Sequence, residues 1–192
     1  MTFHVVVGAG PTGTATALQL AATGHEITML TRRGTGPDHP RITLTAGDAA
    51  DPDLLTSVAE GAATIINCAA PPYHRVPEET PALSDSLIKA ATRTGAGYLN
   101  LSNAYGLGPV DGVVTEDLPL RPTTIKGQVR ARMYADAMAA HAAGDLRFAE
   151  VRPGDYLGAG AVSTFNLMVA PALLAGDPVV VPADLDVPHS WA

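Results

Sequence analysis

Short apolar runs alternate with segments of helical periodicity along the first 152 residues of the chain. Six runs are rich in β-branched residues and have the length of strands. They are FHVVV (3–7), EITML (26–30), RITLT (41–45), ATIINCA (63–69), GYLNL (97–101) and LRFAEVR (146–152). Helices are predicted over 11–24, after Asp51-Pro52, around 82–94 and around 124–143. Because parallel strands need a crossover that runs the length of the sheet, this alternation predicts an α/β fold with a doubly wound parallel sheet.

The pattern changes after Pro153. A glycine-rich loop, a mixed apolar stretch over 163–175 and a strand-like run, PVVVP (178–182), lead into ADLDVPHSWA, which has no closing helix or strand. We therefore expect a sheet domain over 1–152 and, over 153–192, the start of a substrate-binding region that is incomplete. A truncated chain, or a second chain that supplies the rest, would give such an ending, and an unpaired edge strand would favour a homo-oligomer.

Composition narrows the classes of partner. The 192 residues are 46% hydrophobic and 16% charged, with a net charge of -7. This acidic balance disfavours nucleic acid, and no apolar run reaches the roughly 18 residues that would span a membrane. The six histidines lack zinc-ligand spacing, and Cys68 is the single cysteine. We expect a cytoplasmic protein with a small-molecule substrate and without a metal, nucleic-acid or membrane partner.

A glycine motif lies between the first strand and the first helix. In VVVGAGPTG, Gly8, Gly10 and Gly13 have the G-x-G-x-x-G spacing, with Pro11 and Thr12 between the last two. The first glycine permits a tight turn, the second lets the backbone approach a pyrophosphate, and the third lets the helix pack against the strand. With a strand before it and a helix after it, the motif predicts a dinucleotide-binding loop.

The end of the second strand predicts which dinucleotide is bound. The strand ends in Thr31, Arg32 and Arg33, where a carboxylate would bind the ribose hydroxyls of NAD(H) and cations would accept the 2′-phosphate of NADP(H). We therefore predict NADP(H) rather than NAD(H), the alternative being two solvated loop arginines. After the third strand, Asp48 is a candidate to bind the adenine amino group, while Asp51 is better placed to cap the next helix.

These motifs together resemble one enzyme family. VVVGAGPTG, GDAAD, NCAAPPY and the downstream NAYGLGPVDG, TEDLPLRP and KG are similar to the short-chain dehydrogenase/reductase superfamily, in its extended NAD-dependent epimerase/dehydratase branch. The resemblance implies a Rossmann fold. It also implies that the cofactor passes the glycine loop, then Asp48, then Ala69 and Ala70 at the end of the fourth strand.

The family's catalytic Tyr-x-x-x-Lys motif is replaced in this chain. At the matching positions stand Lys126 and Arg130. Arginine does not release its proton at ordinary pH, so Arg130 is expected to hold ribose or phosphate oxygens. A lysine beside a cation can act as an acid, so Lys126 is a candidate proton donor. The alternative is that both are surface residues of an ordinary helix, and Arg132 is expected to point to solvent.

No tyrosine restores the motif, because none is followed by a basic residue four positions later. Tyr73, Tyr98, Tyr105, Tyr134 and Tyr156 are followed by Pro77, Ser102, Pro109, Met138 and Gly160. Asn103 and Tyr105 are candidates to orient a substrate carbonyl. The sequence thus predicts an NADP(H)-dependent oxidoreductase or epimerase-like enzyme acting on a small carbonyl or hydroxyl compound. A non-catalytic NADP(H) sensor and a non-redox isomerase or dehydratase are the alternatives.

Overall fold

The computed structural model describes residues 2–157, 160–161, 163, 165–180 and 186. Six strands and five α-helices follow one another within these residues. In chain order they are β1 (Phe3–Val7), α1 (Pro11–Ala22), β2 (Glu26–Thr31), β3 (Ile42–Ala46), α2 (Pro52–Val58), β4 (Thr64–Asn67), α3 (Val76–Thr94), β5 (Gly97–Leu101), α4 (Ile125–Ala142), β6 (Phe148–Val151) and α5 (Ala170–Ala175). Single turns of 3₁₀ helix cover Tyr73–Arg75 and Ala104–Gly106, and a π-helical turn covers Phe165–Val169.

The six strands form one parallel sheet in the order β3-β2-β1-β4-β5-β6. Strand order reverses at β1, whose Val5 lies between Thr28 of β2 and Ile65 of β4. This is the doubly wound, Rossmann-type sheet predicted from the alternation of patterns. In such sheets ligands bind beyond the carboxyl ends of the strands at the point of reversal, which here lies between Gly8 and the end of β4.

Both faces of the sheet are buried under helices. On one face Val5, Val7 and Leu87 belong to a cluster that α2, α3 and α4 cover, and on the other Val6 and Met29 pack with α1. Burial on both faces explains why the strands are nearly continuous apolar runs rather than alternating ones.

The main difference from the sequence prediction is the start of α3. The helix begins at Val76 rather than near residue 82. Pro77 occupies the first turn, where backbone N–H groups have no helical partner, and Pro81 removes only one interior hydrogen bond. Glu78 and Glu79 in the first turn interact favourably with the helix dipole. The prolines therefore did not end the helix as their residue type suggests.

Smaller differences concern strand ends. Strands β3, β4 and β6 cover 42–46, 64–67 and 148–151, shifted or shorter than predicted. Residues 178–180 have no regular structure, so the strand predicted over 178–182 is not found there, and residues 181–182 lie outside the described residues.

The chain divides into two compact units, residues 1–151 and 152–192. The first unit contains the whole sheet. In the second, the π-helical turn leads into α5, which ends at Gly176 with a left-handed backbone (φ 74°). Among the described residues no helix combines the length and the apolar character that crossing a bilayer would need.

Candidate cofactor and catalytic site

The glycine loop has two crowded positions and one open position. Gly8 has a φ of 97°, and a Cβ there would lie 2.8 Å from the backbone N and Cα of Ala69. A Cβ on Gly13 would collide with the carbonyl oxygen of Gly8. By contrast, a Cβ on Gly10 would meet no atom of the described residues within 4 Å. The fold itself thus requires glycine at positions 8 and 13, whereas the space at Gly10 is open to a ligand.

The N-terminus of α1 faces this open space. Gly10 is the N-cap residue and gives no side-chain hydrogen bond, Pro11 opens the helix, and no acidic residue lies in the first turn that includes Thr12. The first-turn N–H groups and the positive end of the helix dipole are therefore not neutralised by a side chain of that turn. Such a helix end binds phosphate well, so the loop fits a dinucleotide pyrophosphate.

The end of β2 carries two exposed positive charges. The Thr31 hydroxyl oxygen accepts a hydrogen bond from the Thr35 N–H at 2.9 Å, which fixes the turn after the strand. Arg32 and Arg33 lie in this turn and are exposed. Within the described part of the chain, no carboxylate lies within ion-pair distance of either guanidinium. Both charges are therefore open to an anionic ligand.

The two aspartates after β3 both hold local turns. Asp51 caps α2, as predicted, and accepts hydrogen bonds from the N–H groups of Asp53 (3.0 Å) and Leu54 (3.1 Å). The Oδ1 atom of Asp48 accepts from the Ala50 N–H at 3.0 Å, a role that the sequence analysis missed. The adenine contact of Asp48 stays a prediction, for which its other carboxylate oxygen is the candidate acceptor.

A ladder of polar side chains crosses the carboxyl ends of three strands. Asn67, Asn100 and Glu150 lie at paired positions of β4, β5 and β6. Asn67 donates to Asn100 Oδ1 at 2.9 Å, and Asn100 donates to Glu150 Oε2 at 2.7 Å. At the other end, Asn67 Oδ1 accepts from the Ala69 N–H at 3.1 Å. The ladder thereby fixes the start of the loop that carries Ala69 and Ala70.

Arg130 extends this network from α4. Its side chain is buried, at 9% exposure, and its Nη1 lies 4.0 Å from Met133 Sδ. Burial lowers the pKa of the Arg130 guanidinium, and the negative charge of Glu150 opposes that effect. Arg130 is therefore not an ordinary surface residue, and its charge lies near Glu150 and Tyr105. The predicted contact with cofactor oxygens stays a prediction.

Lys126 has an aromatic partner that the sequence analysis did not find. Its Nζ atom lies 3.0 Å from the centroid of the Tyr73 ring. The family motif relates residues four apart on one helix, whereas Tyr73 belongs to the turn before α3 and Lys126 to α4. Both residues line a cavity of about 520 Å³ together with Pro77, Tyr105, Thr124 and Ile125.

The turn after β5 brings Tyr105 to the same cavity. Asn103 Oδ1 accepts from the Tyr105 N–H at 3.1 Å and caps the turn Ala104–Gly106. A Cβ on Gly127 would collide with the Tyr105 carbonyl oxygen, so the turn packs directly against α4. The structure thus places Tyr105 beside Lys126, while the amide oxygen of Asn103 is engaged locally and its NH₂ group is the one suited to orient a substrate.

Arg132 and Tyr98, which the sequence analysis also considered, do not line this cavity. Arg132 is exposed, as predicted, and pairs with Asp136 at 2.8 Å. Tyr98 lies in the core at 1% exposure, and burial raises the pKa of its phenol above the ordinary value. Tyr98 therefore cannot replace the family's catalytic tyrosine.

Cys68 lies directly under the glycine loop and reports on its packing. A Cβ on Gly13 would be 3.1 Å from the Cys68 Cβ. Burial raises the pKa of the Cys68 thiol, and a hydrogen bond with Thr16 opposes this effect.

Because the thiolate is the reactive form, we expect iodoacetamide to alkylate Cys68 of the native protein several-fold more slowly at pH 8 than Cys68 of the urea-unfolded chain. Half-maximal reactivity should also occur at a higher pH in the native protein than in the unfolded chain. Equal rates would show that Cys68 is not buried under the loop.

The sheet order and the glycine loop at the point of reversal define a fold of the Rossmann class. Its sequence matches the NAD dependent epimerase/dehydratase family over residues 4–191. The chain belongs to this family, whose members are enzymes, and the resemblance stated from the motifs is confirmed. Among curated protein sequences, none matches the chain.

Solved structures with NAD show the same fold. The dTDP-glucose 4,6-dehydratase from Bacillus anthracis str. Ames, in complex with NAD, is 20% identical, with a TM-score of 0.85, over 100% of this chain and 67% of that one. DesIV, the dTDP-glucose 4,6-dehydratase from Streptomyces venezuelae, is 21% identical, with a TM-score of 0.83, over 99% and 67%. The UDP-glucose 4-epimerase from Brucella ovis is 22% identical, with a TM-score of 0.73, over 83% and 54%. The chain thus spans about half to two thirds of their length.

Proposed function

We propose that this chain binds a nicotinamide dinucleotide along the glycine loop and catalyses an oxidoreductase or epimerase-like reaction at a carbonyl or hydroxyl carbon. The observation that carries the proposal is the open space at Gly10, next to the unneutralised N-terminus of α1. Among the residues that the structure describes, no atom within 4 Å requires glycine at that position, whereas a bound pyrophosphate would. Family membership supports the nicotinamide cofactor.

Each end of the proposed site has candidate residues. Pyrophosphate would lie on Gly8, Gly10 and Gly13, and adenine near Asp48. The nicotinamide half would pass Ala69 and Ala70, whose loop the polar ladder fixes. When bound, the nicotinamide accepts or supplies the hydride.

The protein's own contribution is to hold the substrate and transfer a proton. The Lys126 ammonium would donate a proton from Nζ to the substrate oxygen, or accept it in the reverse direction. The Asn103 amide and the Tyr105 hydroxyl would orient the carbonyl, and the buried charge of Arg130 would stabilise negative charge that develops there. Sugar nucleotides are the first substrates to test, because the similar structures include a UDP-glucose 4-epimerase and a dTDP-glucose 4,6-dehydratase.

NADP(H) is the cofactor we propose, on the basis of Arg32 and Arg33. The similar structures contain NAD, so the proposed preference for NADP(H) rests on this chain's own residues.

We expect Arg32→Ala/Arg33→Ala to weaken NADPH binding by about tenfold or more, because two cations near the 2′-phosphate are lost, and to change NADH binding little. Fluorescence titration of both cofactors measures the effect.

A double variant with the same charge change controls for long-range electrostatics. Lys89 and Arg93 lie on the surface of α3, where Lys89 pairs with Asp85 of the same helix and Arg93 with Asp53 of α2. Lys89→Ala/Arg93→Ala should leave both affinities within about twofold, because exposed charges at a distance are screened. Tighter binding of NADH than NADPH by the unaltered protein would contradict the NADP(H) assignment.

A sensor is the second candidate function, because lysine stands where the family's tyrosine would be. Incubation with UDP-glucose or dTDP-glucose and the preferred cofactor distinguishes the two. A new sugar nucleotide, or a change in nicotinamide absorbance, supports the enzyme. Saturable cofactor binding with neither change, across carbonyl and hydroxyl substrates, supports the sensor. Product without net change in the nicotinamide supports an epimerase or a non-redox isomerase or dehydratase.

A further inference from the structure

The contact between Tyr73 and Lys126 joins two elements that are far apart in sequence. Tyr73 begins the 3₁₀ turn that follows β4, and Lys126 is the second residue of α4. Their 3.0 Å separation, from Nζ to ring centroid, is close for an ammonium over an aromatic face. The ring's negative face attracts a cation, so the contact is favourable and directional.

The surroundings of Lys126 make this ring its main partner in the cavity. The lining residues within the described ranges, Tyr73, Pro77, Tyr105, Thr124 and Ile125, include no carboxylate. In the part of the chain that the structure describes, Lys126 forms no ion pair, whereas Lys89 pairs with Asp85 at 2.6 Å. The Thr124 oxygen accepts from the Gly127 N–H at 3.1 Å and serves as the helix cap.

A long lysine side chain without a fixed partner samples many rotamers. A group that transfers a proton must instead lie within hydrogen-bond reach of the reacting atom, and small displacements slow the reaction strongly. The Tyr73 ring can engage one N–H group of the ammonium, and the other two of its three N–H groups stay available. The contact can therefore orient Lys126 without occupying all of its donors.

We propose that Tyr73 is a positioning residue whose ring face holds the Lys126 ammonium in the cavity, towards the substrate oxygen. This inference rests on the proposed function, in which Lys126 transfers the proton. It assigns the role to the ring and not to the phenol hydroxyl. Phenylalanine at position 73 should therefore preserve the positioning of Lys126, and leucine should not.

The chain allows a direct test of the contact, because Lys126 and Lys89 are its two lysines. Reductive methylation with ¹³C-formaldehyde labels both lysines and the N-terminal amine, and it preserves the charge. In a ¹H–¹³C spectrum, the Lys126 signal, assigned by its loss in Lys126→Arg, should lie upfield of Lys89 because of the ring current. The upfield shift should remain in Tyr73→Phe and disappear in Tyr73→Leu, while Lys89 serves as the internal control.

Turnover of UDP-glucose with the preferred cofactor tests the consequence. Tyr73→Leu should lower kcat by about tenfold or more, and Tyr73→Phe should stay within about twofold, with cofactor affinity unchanged in both. A Lys126 signal without the shift, or a Leu variant as active as the unaltered protein, overturns the inference. Equal losses in Phe and Leu overturn it too, because the phenol would then be the proton donor.

These outcomes are distinguishable from failure of the proposed function. If Lys126→Met keeps full turnover, or if the unaltered protein turns over none of the sugar nucleotides, the assignment of Lys126 as proton donor fails. The spectrum still decides whether Tyr73 holds the ammonium, since it requires no substrate.

Discussion

We expect valine at position 10 to abolish dinucleotide binding and leave the fold intact, and valine at position 13 to disrupt both. The Gly10 backbone is extended (φ -69°), which valine adopts, and its Cβ would enter open space. That space is where the pyrophosphate would lie. A Cβ on Gly13 would instead collide with the Gly8 carbonyl, so α1 would have to move away from the loop. Overpacking of this kind costs about 1–3 kcal/mol.

Two measurements separate these effects. Titration with NADPH should show no saturable binding for either variant, while urea unfolding should show a clear loss of stability for Gly13→Val and at most about 1 kcal/mol for Gly10→Val. Ala15→Val, on the exposed face of α1, controls for a valine in this helix and should bind normally. If Gly10→Val bound NADPH like the unaltered protein, the open space would not be the pyrophosphate site.

Removal of Glu150 is expected to destabilise the fold clearly more than removal of a surface carboxylate. Glu150→Ala would leave the buried Arg130 charge and the Asn100 amide without their acidic neighbour. Glu150 is itself half-buried, so the main loss is the charged hydrogen bond that it accepts from Asn100, with a smaller loss of favourable charge near Arg130. Hydrogen bonds to charged groups contribute about 1.5–3 kcal/mol, so the free energy of unfolding, from urea denaturation, should fall by about 2 kcal/mol.

A double variant tests the physical reason. Glu150→Ala/Arg130→Met removes both charges, and its stability should exceed that of Glu150→Ala, since methionine is uncharged and fills much of the volume. The surface pair offers a matched control, because Asp136→Ala should cost less than about 1 kcal/mol. If Glu150→Ala destabilised no more than Asp136→Ala, the Glu150 carboxylate would not stabilise the Asn100 amide and the Arg130 charge.

Much of the fold could be predicted because the residues that indicate each helix, strand or turn lie close together in the sequence. The apolar run at 3–7 and the run at 97–101 coincide with β1 and β5, and the glycine spacing marks the loop between β1 and α1. Asp51 before a proline predicts a helix cap, which the structure confirms. Each of these features depends on residues within one or two turns of each other.

The site was less predictable because its contacts join distant elements. Tyr73 and Lys126 meet only when the turn after β4 lies beside α4, and no pattern along the chain encodes that proximity. The polar ladder did leave a signal: Asn67, Asn100 and Glu150 are polar residues near the ends of otherwise apolar strands. That signal could have been interpreted only with the register of the sheet.

The most direct test of the account is a fluorescence titration of the 192-residue chain with NADPH and, separately, NADH. The glycine loop, the free N-terminus of α1 and the two open arginines predict saturable binding of both, with NADPH bound more tightly. Absence of saturable binding for both cofactors would contradict the central claim that this chain holds a nicotinamide dinucleotide.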